Sequence, residues 1–117
     1  PQRTWYPVQA VKYLAVPSRN PKYAGKSMLR VNYLCSGKRG SQWVVQWVCL
    51  EYPGWPGQQA RQWFDRRHLP MPRTAAAAAS FLTARRASIP TAIAVEQQGR
   101  YEAVVMESFT PIEDASR

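Results

Sequence analysis

At 117 residues, 45% of them hydrophobic, the chain is long enough for one core and too short for two self-sufficient ones. Its apolar runs reach no more than about six residues, far below the ~20 of a helical membrane span, so a membrane partner is not expected. Sixteen Lys and Arg against seven Asp and Glu give a net charge of +9, and the excess is lopsided. Residues 1–90 hold fourteen basic and two acidic side chains, whereas residues 91–117 hold two and five.

A basic surface makes counterion release from a phosphate backbone a ready source of affinity; the alternative is a solvated surface that serves solubility alone. At a sequence pI near 10.2, a polyanion is the favoured partner. The opening at Pro1 lacks the basic, apolar and small-residue order of a signal peptide, and without an initiating Met it is expected to mark a trimmed fragment. A cytoplasmic, nucleoid-associated location is the corresponding expectation.

In chain order, residues 5–16 are rich in β-branched and aromatic side chains and carry Val11, Tyr13 and Ala15 at period two, which predicts a strand. Residues 18–26 combine turn formers with cations and read as an exposed basic loop. Residues 28–35 alternate, with Leu29, Val31, Tyr33 and Cys35 on one face and Arg30 and Asn32 on a basic outer face. Residues 36–41 form a hairpin loop with Lys38 and Arg39 at its tip. The nearly continuous apolar run at 43–50 predicts a central strand covered on both faces, which makes Trp43 and Trp47 core residues.

Pro and Gly at 53–57 end that strand and leave Trp55 in a loop. From Gln58 the period changes: Ala60, Trp63, Phe64 and Arg67 make one helical stripe. Thr74 is the expected N-cap of a second helix running from the alanines at 75–79 to Arg86, with cations near its C-terminal end. Residues 91–96 and 100–106 then read as two strands around Gln97, Gln98 and Gly99. The expected fold is α+β in the order β-β-β-α-α-β-β, a mainly antiparallel sheet with two helices packed on one side. One domain over residues 1–106 and a polar tail over 107–117 complete the expectation.

Few residues suggest chemistry. Gly25-Lys26-Ser27 ends like a phosphate-binding loop, but the position of the first required glycine is Asn20 and a strand, not a helix, should follow. Cys35 and Cys49 lie in apolar, strand-like sequence and read as buried thiols; with the single His68 they supply no set of four zinc ligands. Glu51 and Asp65 are the only carboxylates before Glu96, and no nucleophile has an orienting base. A non-catalytic chain without cofactor or metal is expected. Aromatic side chains interleaved with cations suit single-strand binders, and Tyr23 and Trp55, both in loops, are the stacking candidates.

Leu29-Arg30-Val31-Asn32-Tyr33-Leu34-Cys35, then Gln46 through Gly54 with Trp47-Val48-Cys49-Leu50-Glu51 at its centre, then Ala60, Trp63 and Phe64, resemble the C-terminal region of RadD-type DEAD/DEAH-box helicases and their phage relatives. Pro90, Thr91, Ile93 and Val95 followed by Gly99-Arg100-Tyr101 are similar to that family's final hairpin. The chain departs from the pattern at Ser36, Tyr52, Gln59 and Phe64, and the family's ATPase motifs are absent from it. The resemblance implies an accessory domain of a DNA-repair helicase that works on DNA and with single-strand-binding protein.

The expected function is therefore non-catalytic nucleic-acid binding. Phosphates would be gripped by Lys22, Lys26, Arg30, Lys38 and Arg39, extended by Arg61, Arg66 and Arg67, with Tyr23 and Trp55 stacking on bases. Single-stranded or forked DNA is the favoured partner, with RNA as the other nucleic acid to test. The alternative is a docking module whose basic patch receives an acidic peptide such as the tail of single-strand-binding protein.

Overall fold

The computed structural model describes residues 2–85 and 89–109. It contains β1 (Arg3–Pro17), β2 (Ser27–Gly37), β3 (Gly40–Val48), α1 (Trp55–Arg66), α2 (Ala75–Thr83), β4 (Ala92–Gln98) and β5 (Tyr101–Ser108), the predicted order. The strands form one antiparallel sheet in the order β3-β2-β1-β4-β5. None of the described helices is long and apolar enough to cross a membrane. By contact density the chain divides into two compact units, Pro1–Lys12 with Asn32–Gln46 and Ala87–Arg117, and Tyr13–Val31 with Trp47–Arg86.

In the first unit β1 pairs with β4 from Arg3 opposite Glu96 to Pro7 opposite Ala92. The Arg3 Nε donates to Glu96 Oε2 at 2.6 Å across this register. The β4–β5 hairpin turns at Gly99-Arg100, one step later than predicted, because Gly99 takes the φ of +63° that the turn needs. A register shift between Ala94 and Val95 leaves Val105 of β5 as the extra, bulged residue, opposite the β4 stretch where Ile93, Ala94 and Val95 are buried in succession. Pairing carries β5 through Ser108, so the predicted tail loses residues 107 and 108 to the sheet; residues 110–117 lie outside the described residues.

The second unit holds both helices. Leu29 and Val31 from β2 are fully buried together with Phe64 of α1 and Ala75, Ala78 and Leu82 of α2. Complete burial of Phe64 contributes about 2–3 kcal/mol. The α1 stripe of Ala60, Trp63 and Phe64 is the predicted one. The helix nevertheless begins at Trp55 rather than Gln58, since Pro56 is tolerated in a first turn whose N–H groups have no intrahelical acceptor. Gly57 is required there by close approach: a Cβ would sit 2.3 Å from the Tyr52 carbonyl oxygen. Thr74 caps α2 as predicted, its hydroxyl accepting from the Ala77 N–H at 3.1 Å. That helix stops at Thr83, short of Arg86, which lies outside the described residues.

Four further expectations are corrected. β3 is an edge strand and not a central one, and Trp43 and Trp47 are each about half exposed. The run is apolar on both faces, but only Val44 and Val48 turn inward, and the alternate tryptophans face solvent. Asn32 is buried rather than outward and donates to the Lys12 carbonyl at 3.2 Å. Ala15 is exposed, because the inward positions of β1 change phase, with Tyr6 and Val8 partly covered and then Val11 and Tyr13. Arg67 is buried on the α1 stripe, as described below.

Candidate nucleic-acid interface

The predicted site residues divide between the units. Lys22, Tyr23, Lys26, Arg30, Trp55, Arg61, Arg66 and Arg67 belong to the second, and Lys38 and Arg39 to the first. The second unit therefore carries ten Lys and Arg against Glu51 and Asp65, while the first carries six against five. The excess of positive charge is a property of one unit.

The basic loop of the second unit is ordered by its own turn chemistry. Asn20 Oδ1 accepts from the Lys22 N–H at 3.0 Å and starts the 3-10 turn Pro21–Tyr23. The Ser18 N–H to Lys26 carbonyl bond of 2.9 Å closes the loop, and Gly25 at φ +80° makes the turn that leads into β2. A strand thus follows Gly25-Lys26-Ser27, as the sequence reading required. Tyr23 is not an open stacking platform: its ring lies 4.0 Å from that of Tyr52 at an interplanar angle of 19°. Tyr52 in turn donates to Ser18 Oγ at 2.7 Å. The stack holds the loop to the rest of the unit and leaves Lys22 and Lys26 exposed.

On α1, Arg61 and Arg66 are exposed, and Trp55 at its first turn is 69% exposed, the most accessible tryptophan. Arg67 is 7% exposed: its guanidinium lies 3.4 Å from the Trp63 ring centroid and Nη1 donates to the Trp63 carbonyl at 3.1 Å. Position i+7 of the apolar stripe buries this cation, and stacking with hydrogen bonding compensates its desolvation. It is removed from the phosphate-binding set.

Arg30 lies with its guanidinium 5.8 Å from the centroid of Trp47. In the first unit Lys12 Nζ lies 5.5 Å from the centroid of Trp43. Reading the tryptophans as core residues predicts neither pair; the signal in the sequence is that Val44, Gln46 and Val48 alternate with them. Lys38 and Arg39 are exposed at the tip of the β2–β3 hairpin. They line an open groove of about 430 Å³ with Thr4, Tyr6, Ser41 and Gln42.

In the sequence Glu51 stands out only as one of two carboxylates before Glu96. Its Oε1 accepts from the Ser27 N–H at 3.0 Å and its Oε2 from the Ala75 N–H at 2.7 Å. Both oxygens are thus committed to backbone donors, at the start of β2 and at the first residue of α2. Cys35 is fully buried, and burial pushes its thiol up to about 11; the partly buried Cys49 is also raised by burial. No group of three His, Cys, Asp or Glu side chains arranged to hold a metal occurs among the described residues. Comparison with protein-family models, with curated proteins and with solved structures finds no match to this chain.

Proposed function

We propose that the chain is a non-catalytic nucleic-acid-binding accessory module whose phosphate grip is centred on the second unit. The observation that carries this reading is the charge of that unit, ten cations against two carboxylates. Seven of the cations are exposed among the described residues: Arg19, Lys22, Lys26, Arg61, Arg66, Arg73 and Arg85. Of the two carboxylates, Glu51 is occupied by backbone N–H groups, which leaves Asp65 as the exposed one. The ordered loop supports the reading further, because cations on a preformed turn lose less freedom when phosphate binds. The resemblance to RadD-type C-terminal regions suggests DNA as the nucleic acid.

The test is fluorescence anisotropy of a labelled single strand across a salt series. Neutralising about four to six phosphates gives a slope of log affinity on log salt of about −3 to −4. Reversing Lys22 and Lys26 to Glu weakens every sequence alike and flattens that slope by about 1 to 1.5, since phosphate contacts position without reading bases. The same reversal at Lys38 and Arg39 costs less, as it falls in the nearly neutral unit. An acidic peptide that binds saturably, beside an oligonucleotide weaker than about 10⁻⁴ M, replaces this reading with the docking module.

A further inference from the structure

We infer that Trp47 and Arg30 form a stacking site for one base of a single-stranded nucleic acid on the second unit, an inference that rests on the function proposed above. The starting point is an apolar surface left wet. Trp47 is 48% exposed although its neighbours Val48 and Leu50 are buried and supply the local core contacts. A large indole in water at a strand position is informative where a buried one is not.

The same unit shows what the chemistry looks like when it serves the core. Arg67 stacks on Trp63 at 3.4 Å, and the two are 7% and 2% exposed. Arg30 and Trp47 repeat the pairing in an open form, at 5.8 Å, with about half of the indole facing solvent. A cation–π contact of this kind limits the rotamers of the ring, so a base that stacks on it meets a partly ordered platform.

Charge decides the occupant. The group beside the ring is a guanidinium in a unit with ten cations, and Glu51 there is held by two backbone N–H groups. A ligand combining a π face with adjacent negative charge complements both the indole and the positive charge of this unit, and a nucleotide within a strand has that composition. Duplex DNA does not offer it, because its bases already stack on each other. Every base has a π face, so the site is expected to tolerate sequence.

The experiment titrates the full chain into a fluorescein-labelled oligothymidylate and into a duplex of equal length, for wild type, Trp47→Ala and Trp47→Phe. Stacking on one base predicts that Trp47→Ala weakens the single strand by about 5- to 100-fold, with the duplex changed less than twofold and the salt slope preserved. Trp47→Phe should recover most of the loss. Far-ultraviolet circular dichroism and thermal melts establish that each variant is folded, and the Phe variant keeps the test decisive if the Ala variant is not. Wild-type binding to both probes with Trp47→Ala and Trp47→Phe unchanged overturns this site and leaves the proposed function standing. Failure of the wild type to bind either probe overturns both. Conversion of a wild-type dimer to monomer by Trp47→Ala, without loss of oligonucleotide affinity, assigns the face to a second copy of the chain and also overturns the inference.

Discussion

Replacing Glu51 tests how one carboxylate holds the second unit together. In the native chain its two oxygens accept from the Ser27 and Ala75 N–H groups at 3.0 and 2.7 Å. Glutamine keeps one acceptor oxygen and turns an NH₂ group toward the other donor, so one backbone N–H loses its partner. Hydrogen bonds to charged groups contribute about 1.5–3 kcal/mol, and a negative charge at a helix N-terminus adds roughly 0.3–1 kcal/mol. Because both bonds are only part-buried, the lower halves of those ranges apply: about 2 kcal/mol for Glu51→Gln and 3–4 kcal/mol for Glu51→Ala. The alanine variant should therefore melt on the order of 10–20 °C lower. Urea unfolding gives the free energies, with an unchanged slope showing that the denatured state is unaltered. Hydrogen exchange supplies the local signature, faster exchange at the Ser27 and Ala75 amides. Glu51→Ala within about 0.5 kcal/mol of wild type, the spread of ordinary surface substitutions, would refute the assigned role.

Gly57→Ala separates helix propensity from packing: propensity alone stabilises by about 1 kcal/mol, but a Cβ placed 2.3 Å from the Tyr52 carbonyl oxygen should produce a net loss of about 1–2 kcal/mol. A stabilised variant in urea unfolding would show that the turn yields. In the native chain Cys35 should resist alkylation at pH 8 and Cys49 should react sooner, with both titrating freely in denaturant. A thiol raised to about 11 favours the folded state fully below the ordinary value near 9.0. That contribution disappears as pH rises from about 9 to 11, so alkaline melts should fall across this window and less so for Cys35→Ser.

The elements whose signal is local were legible in the sequence. The alternation of Leu29, Val31, Tyr33 and Cys35, the Ala60-Trp63-Phe64 stripe and the Thr74 cap each follow from side-chain period or hydrogen-bonding capacity within a few residues. What escaped depends on partners distant in sequence. An apolar run such as β3 has the same composition whether one or both of its faces are covered, and here only the face of Val44 and Val48 is buried, which leaves Trp43 and Trp47 half exposed. Among the cations, Lys22 and Lys26 were recognisable from their turn-forming neighbours. Arg67 was not, because its charge suggested surface while its place on the stripe decided burial. Glu51 shows the same limit: the sequence displays a carboxylate, and its two acceptor bonds depend on chain 24 residues away on either side.

The pairing of Arg3–Pro7 with Ala92–Glu96 also sets a timetable for synthesis. All of the second unit is encoded between residues 13 and 86, whereas the first is assembled from three separated stretches, the last beginning at Ala87. On the ribosome the basic unit is complete in sequence while β4 and β5 are still unmade. The start of β1 must wait for partners 85 to 93 residues downstream, a separation that makes its closure slow. During that interval its backbone is an edge that another nascent chain could join, and the hydrogen-bonding groups there are satisfied only when β4 arrives.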